Sequence, residues 1–242
     1  MSQGATSKVV LVAFGGPSSS GKTTVATTLT SLLPHVTLVQ LDDFYLTDSE
    51  IPIDATTGYQ NWDCPQALDF DKFTSYLKAL KNGTGESPVE SVQSKDVDLS
   101  LSSSELETIE SVIASQNDKF QGKHIVFVDG FMLFHDPEVI KLFDIKLFFH
   151  ASFETLKKRR ESRKGYTTVE GFWVDPPDYF EKIVWPAFVD SHKYLFKDED
   201  MEGNLKPSST SAEYKINDIA NEESSTLFSL VNKSLDAIIE DL

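Results

Sequence analysis

The residues with the clearest capacity for chemistry are Gly16-Pro17-Ser18-Ser19-Ser20-Gly21-Lys22-Thr23, followed by Thr24. They fit G-x-x-x-x-G-K-[ST], with an apolar run before and a helical pattern after. The glycines let successive backbone N–H groups curl around an anion, and the helix start adds partial positive charge. Residues 16–24 are therefore expected to bind the phosphates of a nucleotide. Lys22 would reach the β- and γ-phosphates, and the Thr23 hydroxyl would be available to Mg²⁺. A purely structural turn has no need of lysine and threonine at those two places.

Three further groups could complete such a site. In Leu41-Asp42-Asp43-Phe44-Tyr45, a carboxylate beyond a strand end can accept a proton from a substrate hydroxyl or help hold magnesium, and this role falls to Asp42. Neighbours on an extended segment point opposite ways, so Asp43 is expected to face elsewhere. The bland alternative is that both acids cap a turn. Asp129-Gly130 follows four apolar residues, as a magnesium- or substrate-side carboxylate does, though a simple strand exit looks the same. The stretch 157–164 holds six bases in eight residues. On a helix, Arg159 and Arg163 would share a face with Arg160 beside it, and such a helix can close over a triphosphate. A solvated basic face is the ordinary alternative.

These groups need a frame. Apolar runs at 9–14, 36–39, 125–128 and 145–149 each read as a strand buried on both faces. Helical patterns occupy 22–33, with Val25, Leu29 and Leu32 in one stripe, then 66–81, and 153–164 after a Ser152 N-cap. Alternation of this kind predicts an α/β fold, a parallel sheet with helices on both faces, whose ligands bind beyond the carboxyl ends of the strands.

Composition bounds the rest. The 242 residues, 40% of them hydrophobic and with 17 Phe, suffice for a full core and are read as a single domain, 1–242. The net charge of −16 argues against nucleic acid or an anionic membrane as a partner. A single cysteine, Cys64, and no 18-residue apolar run point to the cytoplasm or nucleus. Acids cluster at 86–118 (eight against one base) and 198–225 (eight against two). Both are read as solvated insertions, the first allowing a short helix through Leu106, Ile109 and Ile113. On that reading residues 88–116 are removable.

The motifs, taken in order, resemble the nicotinamide riboside kinases in their fungal form. The resemblance rests on residues 16–24, Asp42-Asp43-Phe44-Tyr45, Asn61-Trp62-Asp63, Asp129-Gly130-Phe131, the 158–163 basic run and Val184-Trp185-Pro186, and it spans roughly 1–80 and 120–196. It implies a P-loop fold with a helical lid, ATP as donor, Mg²⁺, and transfer to the 5′-hydroxyl of nicotinamide riboside or nicotinic acid riboside. By it, Asp42 matches the general base and magnesium-side carboxylate, and Trp62 and Asp63 match the nicotinamide-stacking and ribose-diol positions. Arg160 matches the substrate-side lid arginine, while Arg159, Arg163 and Tyr166 match lid positions near ATP. Asp43, Phe44, Tyr45 and Asp129 fall on the substrate side. Trp62 and Asp129 stand where many relatives carry Tyr and Glu. The residues themselves suit the implied substrate, since an aromatic face attracts a pyridinium and a carboxylate accepts from a diol, although Trp62 could equally fill a core. A monomer is expected. Uridine/cytidine kinase and a non-catalytic nucleotide-binding regulator are the alternatives.

Overall fold

The computed structural model describes residues 8–84, 100–168, 170–210 and 213–242. Residues 86–99 of the first acidic stretch lie outside the described residues. Five parallel strands form one sheet in the order β2-β3-β1-β4-β7, where β1 is Lys8–Gly15, β2 Val36–Gln40, β3 Lys123–Gly130, β4 Ile145–His150 and β7 Ile216–Ala220. A small antiparallel pair, β5 Tyr166–Thr167 and β6 Phe172–Trp173, stands apart.

Side chains alternate across the sheet with the period of a strand, which gives two cores. Leu11, Ala13, Val126, Val128 and Phe148 face one way and pack with Phe44, Phe73 and Phe134. Val10, Val12, Phe14, Phe127 and Leu147 face the other, against Val25 and Leu29 of the helix Lys22–Leu32 and Leu230, Val231, Leu235 and Ile238 of the helix Leu227–Asp241. The fold is the α/β P-loop arrangement. Among the described residues no helix is long and apolar enough to cross a membrane.

Four expectations need correction. The strand β2 is not buried on both faces: it is a sheet edge, and Val36, Thr37 and Leu38 remain partly exposed. The helix expected over 66–81 begins at Phe70, because Pro65–Ala67 makes a separate tight turn and the Asp69 carboxylate caps the helix by accepting from Lys72 N. The first acidic stretch is not wholly a solvated insertion. Its helix Ser103–Ser115 turns Ile109 and Ile113 into the second core, because the other positions can carry the charge outward. The second stretch contains β7, whose Ile216 and Ile219 are buried while Asp218 between them is exposed. Each segment thus contributes buried side chains to the fold.

Candidate active site

The loops at the carboxyl ends of β1, β2 and β3 enclose one face of a cavity of about 310 Å³, and the lid segment encloses the other. Ser18, Ser19, Lys22, Thr23, Thr24, Asp42, Tyr45, Trp62, Asp63, Asp129, Arg160, Arg163 and Tyr166 line it. Glycine is required at two points of the phosphate loop. Gly16 has φ +131°, and a Cβ there would lie 1.9 Å from the Phe149 carbonyl oxygen; Gly21, at φ +89°, caps the following helix. Lys22 is buried, and its ammonium donates to Pro17 O at 3.3 Å. Burial lowers its pKa, while Asp129 and Asp42 oppose that shift.

Asp42 and Asp43 lie in a 3-10 turn, Leu41–Phe44, and not on an extended segment. The turn still separates them, with Asp42 on the cavity and Asp43 off its lining. Removal from water, and next the charge of Asp129, push the Asp42 carboxyl up to about 6. Burial also raises Asp129, against Lys22 and a hydrogen bond from the Thr23 hydroxyl. Phe44 does not line the cavity. It is a core side chain, packed edge-on to Phe73 and beside Tyr76.

Arg160 ties Asp63, Asp175 and Ser18 together at one side of the cavity. The residue is 6% exposed and every guanidinium N–H is used: Nε donates to Asp175 at 2.7 Å, and the two terminal nitrogens donate to Asp63 at 3.2 and 3.3 Å, to Asp175 at 3.1 Å and to Ser18 Oγ at 2.8 Å. Burial opposes its charge, but Asp63 and Asp175 overcome this and raise its pKa. Burial raises Asp63, with Arg160 pulling the other way. The Trp62 backbone is fixed from both sides, its N–H donating to Tyr179 Oη and its carbonyl accepting from Tyr45 Oη. The Trp62 ring stands edge-on to Tyr45 and tilted against Trp173.

The lid differs from expectation. Its helix is Phe153–Glu161, so Arg163 lies beyond the end and shares no helical face with Arg159. Arg160 and Arg163 instead both approach the Tyr166 ring, at 4.5 and 5.4 Å. Arg159 turns from the cavity to the Asn221 and Glu222 carbonyls. Ser152 occupies the N-cap position but does not cap with its hydroxyl, which donates to Glu222. Sequence reasoning missed Asp175, Trp173, Thr168 and Gln40. Of these, Trp173 donates through Nε1 to Asp175, and Thr168 donates to Asp48. None of the four belongs to a contiguous motif, so nothing local in the sequence marks them.

Several buried polar atoms around the cavity have no hydrogen-bond partner: Ser19 Oγ, Trp62 Nε1, Asp129 Oδ1 and Tyr166 Oη. Such atoms are costly unless a ligand satisfies them. Asp129 Oδ1 also bears on a magnesium ion. With Thr23 and Asp42 on the same cavity it offers hard oxygen donors of the kind Mg²⁺ takes, the remaining ligands being phosphate and water. Among the described residues no group of three or more His, Cys, Asp or Glu is placed to hold a metal ion.

Strand, phosphate loop, flanking carboxylates and an arginine-bearing lid helix define a P-loop kinase. The family model described as "Phosphoribulokinase / Uridine kinase family" matches residues 11–169. The chain is 43% identical over 206 residues to nicotinamide riboside kinase of Saccharomyces cerevisiae, covering 83% of this chain and 84% of the relative. It is 39% identical to the Schizosaccharomyces pombe protein of that name (83% and 86% covered) and 35% identical to the one from Eremothecium gossypii (95% and 92%). The chain belongs to the phosphoribulokinase / uridine kinase family and, within it, to the nicotinamide riboside kinases.

Proposed function

We propose that the chain transfers the γ-phosphoryl group of ATP to the 5′-hydroxyl of nicotinamide riboside, giving the mononucleotide for NAD salvage, and that nicotinic acid riboside is a second substrate. The observation that carries this reading is that Asp42, Lys22 and Asp129 share one cavity with the Asp63–Arg160 pair and Trp62. On this reading the phosphates and the nucleoside share a single space.

In this reading residues 16–24 hold the phosphates through backbone N–H groups and the Lys22 ammonium. Asp63 accepts from the ribose diol, and Arg160 opposes its protonation and aims the carboxylate. Trp62 and its neighbours exclude water around a cationic ring, whose attraction to an aromatic face reaches ~2 kcal/mol when desolvated. Asp42, with its carboxyl up to about 6, is ionised at neutral pH yet basic enough to take the 5′-hydroxyl proton as the oxygen attacks phosphorus. Arg163 and Tyr166 stand where charge on the transferring group would be balanced. Thr23, Asp42 and Asp129 would hold Mg²⁺, which when bound offsets charge on the β- and γ-oxygens. A monomer in the cytoplasm or nucleus, with small-molecule partners only, is the expected setting.

The test is ADP release from Mg-ATP with nicotinamide riboside, nicotinic acid riboside, uridine and cytidine offered separately. Turnover confined to the pyridine ribosides supports the reading. Preference for uridine or cytidine replaces it with the pyrimidine alternative, and release from none makes the chain a nucleotide-binding regulator.

A further inference from the structure

Asn221, immediately after β7, is 7% exposed and has no place in the chemistry above. Its Nδ2 donates to Ser20 O, in the phosphate loop, at 2.8 Å. Its Oδ1 accepts from a terminal nitrogen of Arg159 at 3.4 Å, and its backbone carbonyl accepts from the other at 2.9 Å. Its own N–H donates to His150 O at 2.8 Å, extending the β4–β7 ladder. The two side-chain contacts fix which end of the amide faces which partner, because a carbonyl can only accept and a guanidinium can only donate.

This bears on the phosphate loop through the geometry of one peptide. The Ser20–Gly21 unit is trans and planar, so its C=O and N–H point in opposite directions. Holding Ser20 O against Asn221, which does not line the cavity, sends the Gly21 N–H the other way, to where a loop of this type meets phosphate. Gly21 lies at φ +89°, where glycine has little preference of its own. A Cβ there would meet Asn221 Nδ2 at 2.4 Å, so the amide sits directly against the loop.

We infer that Asn221 is a positioning residue for nucleotide binding: its amide fixes the Ser20–Gly21 peptide with its N–H toward the phosphates and couples that peptide to Arg159 of the lid helix. The inference rests on the reading of residues 16–24 as a phosphate cradle. The partner whose binding it controls is the polyphosphate, not the nucleoside.

The test uses Asn221→Ala, which removes donor and acceptor, and Asn221→Leu, which removes both while keeping most of the volume. Calorimetric titration with MgADP, without nucleoside, reads the loop alone. The nicotinamide riboside KM at saturating Mg-ATP reads the other end of the site, and thermal melting confirms that each variant is folded. Because a hydrogen bond to a charged group is among the stronger kinds, MgADP affinity should fall about ten- to a hundredfold, with the nucleoside KM within about twofold of wild type. MgADP affinity within twofold of wild type in a folded variant overturns the inference. So does a parallel loss at both ends, which would make Asn221 a general structural support. Wild-type protein that fails to bind MgADP refutes the phosphate-cradle reading itself, a result the variants alone could not produce.

Discussion

Replacing Asp42 by Asn should cripple turnover and strengthen the fold in the same molecule. Burial and Asp129 push the native carboxyl up to about 6, from an ordinary value of 3.8. A group with a raised native pKa holds its proton more tightly folded than unfolded. The stability this confers is fully present below about pH 4 and is lost as pH rises through about 6. At ~1.4 kcal/mol for each pH unit between the two values, the ionised carboxylate costs the fold ~3 kcal/mol at neutral pH, an upper figure because Asp42 is partly open to water. Asp42→Asn should therefore be more stable than wild type at pH 7–8, with the difference vanishing toward pH 4. Its kcat should fall by the ~10²–10⁴ associated with a general base, because the amide keeps the shape and cannot take a proton. Wild-type kcat/KM, with both substrates below KM, should drop about tenfold from its plateau by pH 5 as the base protonates. ADP release across pH 5–8 and urea melts across pH 4–8, on both proteins, make the comparison. The γ-phosphate of ATP titrates in the same range, so any acid limb surviving in the variant marks the nucleotide's share. A kcat within tenfold of wild type, or an acid limb identical in both proteins, would refute the assignment of the base.

Three other outcomes are expected. Lys22→Ala should lose nearly all turnover in the same assay while the protein still melts as a folded domain, since the Lys22 ammonium faces the cavity with Asp42 and Asp129 and not the apolar core. Asp63→Asn should mainly raise the nicotinamide riboside KM and leave kcat closer to normal, because the diol is held in ground and transition states alike and Arg160 retains Asp175; steady-state kinetics showing the reverse pattern would exchange the roles of Asp63 and Asp42. Ile109→Ala should cost about 2–4 kcal/mol in urea unfolding, since its side chain is fully buried in the second core, and a surface-like cost below about 0.5 kcal/mol would restore the view of that helix as an appendage.

What the sequence disclosed, and what it hid, follows from how local each signal is. The phosphate loop is contiguous, and its glycines, lysine and threonine are dictated by backbone geometry and by the anion, so eight residues suffice to recognise it. Strands β1, β3 and β4 are covered on both sides and read as apolar runs, interrupted in β4 by Lys146 alone between Ile145 and Phe149. The strand β7 is an edge, with only Ile216 and Ile219 facing inward, and two isoleucines among acids are indistinguishable from a solvated loop. Asp175 and Asn221 gain their meaning from Arg160 and Ser20, partners 15 and 201 positions away in the chain, and carry no motif of their own. The lid arginines were visible as a cluster, but a helix ending at Glu161 sorts them by where the chain turns, which periodicity alone does not give.

The separation of Ser20 from Asn221 has a consequence for the order in which the protein can come into being. Synthesis delivers the phosphate loop early and β7 late, and the parallel neighbours β1, β4 and β7 cannot be joined by tight hairpins. A growing chain can thus display every residue of the G-x-x-x-x-G-K-T signature while the Ser20 carbonyl still lacks the amide it meets in the native sheet. Closing so long a loop is an entropic cost met only when the strand docks as part of the cooperative fold. Nucleotide capture should then report completion of the molecule, and ATP, binding the finished form alone, would draw late folding steps forward by mass action.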